Sequence, residues 1–399
     1  MLCLKRKINF AGRLSAATFC LMLAMGIGSG CGSKNADREV APLHQGDVWL
    51  DTDSNQINAH GGGMLYYDGT YYWYGEHRPG VGSESKTQDG VNCYSSTDLS
   101  NWKYEGLALS VEDVEGHDIE RGCTIERPKV IYNDSTHKFV MWFHLELKGR
   151  GYEAARACVA VSDTPVGPFK FIRSGRVNAG VYPMNMSDED RNAEWNMDEY
   201  EWWTPEWREA VDKGMIAKRD LEGGQMSRDM TLFVDDDGKA YHIYSSEENL
   251  TLNIAELSDD YLSHTGRYVR VAPGGHNEAP AIMKHDGRYW MITSGCTGWA
   301  PNEARLMTAT DIFGPWQQLP NPCVGPDAKL TFGGQSTYIL KVAGKDDAYM
   351  AMFDRWRPEN LLDSRYVWLP IDFDESGTPV INWVESWTPL TYWDNNEAK

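Results

Sequence analysis

The chain has 399 residues and a net charge of −20 at pH 7. This charge, without a basic cluster beyond the N-terminal residues, argues against nucleic acid or an anionic membrane surface as a partner. The length alone would allow two or three domains, but regular repeats from about residue 50 to 390 leave room for only one.

The first 30 residues predict a secretory signal peptide. A KRK stretch precedes the apolar segment AATFCLMLAMGIGSG and then Cys31, which is the usual order of a charged region, an apolar region and a cleavage site. Cys31 resembles the cysteine of a bacterial lipoprotein signal, although Gly28 stands where an aliphatic residue is usual. We expect an exported protein, periplasmic or anchored by a lipid at Cys31 to the outer membrane of a bacterium, with simple cleavage as the alternative. Residues 31–49 would be a flexible tether.

Five segments predict equivalent β-hairpins. Each begins with a polar residue, called here a lead residue, continues through β-branched and aromatic residues, and mostly turns at a dipeptide such as Asp-Gly. The lead residues are His60, Glu126, Asp229, Glu278 and Gln335. A second hairpin follows each first one, which gives four strands per unit.

The spacing of the lead residues predicts the architecture. They follow one another at intervals of 66, 103, 49 and 57 residues, and apart from the long interval this is the length of a propeller blade. We therefore predict an all-β fold, a five-bladed β-propeller with four-stranded antiparallel blades, over residues 50–394.

The long interval predicts an insertion at about residues 180–225 that is acidic and rich in tryptophan. Thr204-Pro205, the segment EWREAVDK and Gly214 predict an N-cap, a proline in the first helical turn, a short helix and a glycine C-cap. Two interpretations are open. The helix either packs its tryptophans on the edge of a blade or forms a lid or subsite wall over the mouth of the propeller.

Cysteines and acidic residues predict neither a cofactor nor a metal. The number of cysteines after the signal is odd and no CxxC pair occurs, so nothing demands a disulfide or a zinc site. The run Asp235 to Asp237 looks superficially like a calcium loop, but it falls at the turn of a hairpin. These cysteines, most of which we expect to be buried, are Cys93, Cys123, Cys158, Cys296 and Cys323.

The lead residues indicate where chemistry takes place. The first strand of every propeller blade lines the central axis, so we expect all five lead side chains to surround one mouth of the channel. Three of them, Glu126, Asp229 and Glu278, are carboxylates, which are costly to bury without a partner. A carboxyl pair in a polar pocket fits glycoside hydrolysis, which needs one protonated and one ionised group at the sugar. We interpret His60, which precedes three glycines, as a structural or supporting residue.

Several motifs resemble glycoside hydrolase family 43, the five-bladed inverting glycosidases. They are ERPKV in blade two, SRDM before the turn of blade three and EAP at Glu278. HGGG, ERPKVIYN and FGGQST further resemble the exo-β-1,3-galactanase subgroup. The resemblance covers essentially the whole mature chain. It implies an inverting exo-glycosidase that releases terminal β-1,3-linked galactose from arabinogalactan or β-1,3-galactan. Separately, we expect the protein to be a monomer.

The resemblance also implies roles for single residues. Glu278 falls on the general acid, Asp229 on a ligand of a sugar hydroxyl, and Glu126 on a carboxylate at the reactive sugar. Gln335 falls where a base would be needed. The positions that would hold the terminal galactose are Glu76, Tyr152, Asn249, Thr297 and Trp299.

The chain departs from the wider family at two positions. Most members carry the catalytic base as an Asp in blade one and a second Asp that tunes the acid in blade two. Here blade one offers Ala59-His60-Gly61-Gly62, and Lys129 stands at the second position. Because an amide is a very poor base, Gln335 either acts through its imidic tautomer or orients the water while Glu126 receives the proton.

Three other functions remain open from the sequence. An α-L-arabinofuranosidase or a β-xylosidase on the same scaffold would need a pocket shaped for a pentose. A non-catalytic glycan-binding propeller would have no need of an acid at the position of Glu278.

Overall fold

The computed structural model describes residues 40–395, so the predicted signal peptide, Cys31 and the first part of the predicted tether lie outside the described residues. Five sheets follow one another along the chain, and the four main strands of each form an antiparallel meander in which sequence neighbours pair. In chain order the strands are Leu43–His44 (β1); His60–Tyr67, Thr70–His77, Gly90–Ser96 and Lys103–Ser110 in blade one (β2 to β5); Thr124–Asn133, Lys138–Glu146, Arg156–Ser162 and Lys170–Gly175 in blade two (β6 to β9); Met230–Val234, Ala240–Ser246, Thr251–Leu257 and His264–Val271 in blade three (β10 to β13); Glu278–His285, Arg288–Ser294, Arg305–Ala309 and Gln317–Leu319 in blade four (β14 to β17); Cys323–Val324, Gln335–Lys341, Tyr349–Arg355, Arg365–Phe373 and Pro379–Asn382 in blade five (β18 to β22); and Ser386–Trp387 (β23). The predicted five-bladed, all-β propeller is confirmed.

Blade five differs from the prediction by one strand. The short strand β18 lies parallel to β22 at the outer edge of the blade, which therefore has five strands. Cys323 and Val324 come directly before the blade, and two residues are too few to give a strand pattern in the sequence.

The N-terminal segment closes the propeller. Strand β1 pairs with β23 from the other end of the chain, and Trp49 packs edge-on against Trp368 of blade five with their ring centroids 4.7 Å apart. The predicted tether of residues 31–49 is therefore wrong for its last part, since Leu43 and Trp49 belong to the folded core. Their partners lie more than 300 positions away, and a polar local composition conceals such contacts.

A cluster of aromatic side chains joins blade one to blade five. Trp73 is 1% exposed and meets Tyr366 and Trp368 edge to face at 4.7 and 4.6 Å. We predict that Trp73→Ala lowers the free energy of unfolding by about 3–5 kcal/mol, because the cavity remains largely unfilled. Urea unfolding followed by tryptophan fluorescence measures it. The control Tyr66→Ala, at a side chain 44% exposed, should cost far less, and equal losses would contradict the prediction.

Irregularities at the start of the inner strands aim the lead residues. The pairing register shifts directly after His60, Glu126 and Glu278, and the next residues, Gly61, Arg127 and Ala279, have φ values of 65°, 56° and 52°. A bulge of this kind bends the strand and redirects a side chain. The lead residues are thus set by backbone geometry as well as by strand register.

The insertion forms three short helices, Asp188–Asn192 (α1), Pro205–Asp212 (α2) and Met215–Arg219 (α3). The predicted caps of α2 are present: the Thr204 hydroxyl accepts from the Trp207 amide, Pro205 opens the helix, and Gly214 after it has a φ of 101°. Trp207 is buried among apolar residues of α2, α3 and Leu250. Single 3-10 turns lie at Gly82–Lys86, Met197–Glu199, Ala328–Gly333, Leu361–Asp363 and Trp393–Asn395.

Three further features concern residues 40–395. The five cysteines in this range are unpaired, and all but Cys296 are buried. None of the helices in the range is long and apolar enough to cross a membrane. Nor does the same range bring three His, Cys, Asp or Glu side chains together as a metal site requires.

Candidate active site

A cavity of about 470 Å³ opens at the end of the axis where the inner strands begin. Four of the five lead residues, Glu126, Asp229, Glu278 and Gln335, line it. The other lining residues are Glu76, Arg78, Arg127, His144, Tyr152, Arg228, Asn249, Gly298, Trp299 and Trp356. The shared register of the inner strands therefore predicted where the cavity lies, but one of the five lead residues does not line it.

His60 lies behind the cavity and not at its mouth. Its side chain is completely buried, its Nδ1 lies 2.9 Å from Asp354 Oδ1, and its ring stacks on Tyr366 at 4.2 Å. Asp354 also accepts from the Gly61 amide. The expectation that all five lead residues face the mouth is wrong for His60, because Asp354 draws the imidazole into the interface between blades one and five.

Glu278 carries the carboxyl that is easiest to protonate. Burial, with the neighbouring Asp229 carboxylate acting in the same direction, raises the pKa of Glu278 to about 7. Asn249 donates from Nδ2 to Glu278 Oε1 at 2.7 Å. A carboxyl that is half protonated near neutral pH is suited to general acid catalysis.

The backbone that presents Asn249 is strained. Glu247, Glu248 and Asn249 all have left-handed φ values, of 52°, 58° and 63°, which residues other than glycine rarely adopt. Arg270 holds Glu247 at 2.6 Å and Arg228 holds Glu248 at 3.0 Å. Strain held in place by ion pairs beside the acid is typical of a functional site.

Arg127 connects the remaining groups, although no sequence pattern singled it out. Its guanidinium donates to both oxygens of Asp229 at 3.0 and 2.8 Å and to Gln335 Oε1 at 2.6 Å. It also lies over the ring of Trp356, 5.7 Å from the centroid. A planar guanidinium suits such a bidentate contact.

The hydrogen bonds of Gln335 fix the orientation of its amide. Arg127 and the Trp356 indole, at 2.9 Å, both donate to Oε1, and Nε2 donates to Ser294 Oγ at 3.0 Å. The imidic tautomer would place a hydroxyl where two donors already point. This arrangement favours the ordinary amide.

Glu126 is held in its ionised form. Tyr152 donates to Glu126 Oε1 at 2.7 Å, and His144 Nδ1 lies 3.1 Å from Oε2. Burial acts to raise the pKa of Glu126, but the hydrogen bonds and charge of His144, with the Tyr152 hydrogen bond, outweigh it and hold the pKa at about 2. On its other side His144 Nε2 contacts Glu146 Oε1 at 2.9 Å. Burial acts to lower the pKa of His144, but its two carboxylate partners raise it to about 9.

We predict that His144→Gln changes the acidic side of the pH profile. With a Glu126 pKa of about 2, wild-type kcat/KM should show no acidic limb above pH 4. Without the imidazolium, the pKa of Glu126 should rise towards or above its ordinary value of about 4.3, so activity should fall as the pH drops through that range. A pH series of kcat/KM measures it. His242→Gln removes a buried histidine outside the cavity and should leave the profile unchanged; an unchanged profile in His144→Gln as well would contradict the prediction.

The floor of the cavity closes the axis. Lys129 is 2% exposed, and its Nζ donates to the Gly61 and Arg127 carbonyls at 2.9 and 3.3 Å. A second cavity lies at the opposite end and shares no lining residue with the first. Burial, with the Arg127 charge acting in the same direction, lowers the pKa of Lys129 to about 7. Lys129, at the position where the wider family carries a carboxylate, therefore blocks the axis below the cavity.

The five residues expected to hold the terminal sugar are placed unequally. Glu76, Tyr152, Asn249 and Trp299 line the cavity. Thr297 does not, because its hydroxyl donates to the Ala300 carbonyl at 2.6 Å and accepts from Asn302. Trp299 is 44% exposed at the rim, and its ring meets that of Trp356 at 5.4 Å.

Three of the residues missed in the sequence share a position, unlike Arg127 on a first strand. Each lies on the second strand of a blade, opposite a lead residue: the pairs are Glu126 with His144, Glu278 with Ser294 and Gln335 with Asp354. A polar residue at or near the end of an otherwise apolar second strand was the signal available, and cross-strand register is what connects it to the site.

A propeller whose axial cavity joins Glu278, a carboxyl of raised pKa, to the ionised Glu126 and to half-exposed aromatics has the groups that acid-assisted cleavage of a glycosidic bond needs. Comparisons with known proteins agree. The sequence pattern of glycosyl hydrolases family 43 matches residues 201–379. A solved family 43 β-1,3-galactosidase with galactodeoxynojirimycin is 66% identical, with a TM-score of 0.85 over 87% of this chain and 100% of that chain.

Two more distant relatives are also similar to the chain. An exo-β-1,3-galactanase from Clostridium thermocellum is 38% identical, with a TM-score of 0.69, over 86% of this chain and 66% of that chain. A β-D-galactofuranosidase of Aspergillus niger is 27% identical over 158 residues, 39% of this chain and 45% of its own length. The chain thus spans less than half of that curated relative. With 66% identity over a complete solved chain, the protein belongs to glycoside hydrolase family 43, as its motifs predicted.

Proposed function

We propose that the protein is an inverting exo-β-1,3-galactosidase that removes terminal galactose from β-1,3-galactan or arabinogalactan chains. The observation that supports this most directly is Glu278, a buried carboxyl of raised pKa, inside a cavity shared with Asp229 and the ionised Glu126. The relatives described as β-1,3-galactosidases and exo-β-1,3-galactanases, between 66% and 33% identical, support the choice of galactose and of the linkage.

The shape of the cavity supports cleavage at a chain end. Lys129 and Arg127 fill the axis below it, so a polysaccharide has no path through the propeller. A volume of about 470 Å³ lies in the range of pockets for small ligands and holds a single terminal sugar with water.

The proposed mechanism uses the raised pKa of Glu278 and the lowered pKa of Glu126. Glu278, protonated, donates its proton to the glycosidic oxygen as the bond to the anomeric carbon breaks. A water on the opposite face attacks that carbon and inverts its configuration. We propose that Gln335, held as an amide by Arg127 and Trp356, orients this water and that Glu126 receives its proton.

The alternatives have weaker support. The solved relatives at 66%, 40% and 38% identity are described as β-1,3-galactosidases or an exo-β-1,3-galactanase, and none of these three is described as acting on a pentose. An endo-1,4-β-xylanase from Bacteroides thetaiotaomicron is 20% identical and shares the fold alone. A non-catalytic lectin would gain nothing from the raised pKa of Glu278.

The test is to incubate the purified protein with β-1,3-galactan and, separately, with aryl arabinofuranosides and xylosides, and to follow the products by NMR. We expect galactose that appears first as the α-anomer. Release of arabinose or xylose alone, or galactose that appears first as the β-anomer, would refute the proposal. Binding of galactan without any release would favour the lectin.

We also propose that the protein is exported, carries a lipid at Cys31 and works as a monomer. The N-terminal sequence supports export and the lipid. Cell fractionation of the wild type and of Cys31→Ser, with mass determination of the mature N-terminus, tests the first two. Light scattering after size exclusion tests the third.

A further inference from the structure

The insertion is fixed to the face of the propeller on which the cavity opens. Arg270 donates to the carbonyls of Val211 and Asp212 at the end of α2, at 2.6 and 2.8 Å. The same guanidinium pairs with Glu247, two residues before the cavity residue Asn249. None of residues 180–225 lines the cavity itself, so the insertion stands beside the mouth and does not form a lid over it.

Two tryptophans of the insertion are exposed in spite of this firm support. Trp202 and Trp203 are 48% and 49% exposed. Trp202 stacks on the buried Trp207 at 5.0 Å, and Trp203 stacks on His276 at 4.8 Å. Indoles held rigidly and left half exposed are typical of a binding surface, because they offer contact area at little entropic cost.

A groove of about 570 Å³, lined by both polar and apolar side chains, continues from these tryptophans across blade four. His276 belongs both to its wall and to the stack with Trp203. At the other end Thr297 lines the groove, and the next two residues, Gly298 and Trp299, line the cavity. The groove is also lined by Asn302, Glu303, Gln318 and Asn321. Tryptophans, groove and cavity therefore follow one another on a single face.

We propose that this face, called here the outer glycan surface and made of Trp202, Trp203 and the blade-four groove, binds the part of the polysaccharide that stays outside the cavity. The proposal rests on the proposed function. Amide and carboxylate side chains hydrogen-bond sugar hydroxyls, and indole faces take the apolar faces of pyranose rings. A net charge of −20 and Glu303 in the groove disfavour an anionic occupant, and the one basic lining residue, Arg305, is engaged with the carbonyls of Gly275 and His276.

The outer glycan surface also includes Thr297, which lines the groove. Its match to a sugar-binding position was not explained by the cavity, and its position at the junction with the groove puts it where the chain would leave the cavity.

The experiment compares long and short substrates. The ratio of kcat/KM for β-1,3-galactan to kcat/KM for β-1,3-galactobiose is measured for the wild type, for Trp202→Ala/Trp203→Ala, and for Glu303→Ala/Gln318→Ala. We expect the ratio to fall about five- to tenfold in the tryptophan variant and less in the groove variant. Thermal unfolding confirms that each variant is folded. The control is Tyr66→Ala, an aromatic of similar exposure that lines the cavity at the opposite end, which should keep the wild-type ratio.

An unchanged ratio in both test variants, or an equal fall in Tyr66→Ala, would overturn the outer glycan surface. Should the wild type release no galactose from either substrate, the proposed function fails, and affinity electrophoresis in gels that contain β-1,3-galactan tests the surface by itself. Retardation that is weaker in the tryptophan variant supports it. Equal retardation in all variants, or none in the wild type, overturns it.

Discussion

Glu278→Gln is expected to lower kcat/KM on β-1,3-galactan by about 10²- to 10⁴-fold, the usual contribution of a general acid. The wild type needs Glu278 protonated, and its pKa is about 7, so wild-type kcat/KM should fall as the pH rises through about 7. The amide has no proton to titrate, and this basic limb should be absent in the variant. A pH series of initial rates measures both effects.

The leaving group distinguishes loss of the acid from general damage to the site. The nitrophenolate of a nitrophenyl galactoside leaves as a stable anion and needs no protonation. Glu278→Gln should therefore lose far less activity on this substrate than on galactan. Glu375→Gln makes the same chemical change at an exposed turn and should retain wild-type rates. If both substrates were slowed equally, Glu278 would not be the acid.

Glu126→Gln should reduce turnover of galactan about 10³-fold, because the variant has no ionised group to take the proton of the attacking water. Azide, which attacks the anomeric carbon without losing a proton, should restore turnover and give α-galactosyl azide, while Glu278 still protonates the leaving oxygen. Rate measurements at increasing azide, with NMR of the product, test this.

Gln335→Ala provides the matched comparison. If Gln335 only orients the water, its loss should cost about 10²-fold, and azide should restore less than it does for Glu126→Gln. Substantial residual activity in Glu126→Gln, or azide rescue confined to Gln335→Ala, would show instead that the amide acts as the base.

The periodic features were accessible from the sequence because they are local. Alternation and turn dipeptides gave the hairpins, their repeat gave five blades, and equivalent positions on the inner strands gave Glu126, Asp229, Glu278 and Gln335. The same register argument placed His60 wrongly, because it assumes that equal positions face equal surroundings. Asp354, nearly 300 residues away in the sequence, contacts the His60 imidazole and holds it behind the cavity.

What the sequence by itself determined is the fold, the family and the set of polar residues that begin the inner strands, since each depends on short-range patterns. Only the tertiary structure decided how these residues differ: that Arg127 ties Asp229 to Gln335, that His144 between two carboxylates keeps Glu126 ionised, and that burial raises the pKa of Glu278. The first and third depend on groups from different blades, the second on side chains that meet across neighbouring strands of blade two, and all three on the exclusion of water. Charge–charge distances and burial are set by packing, and no local pattern encodes them.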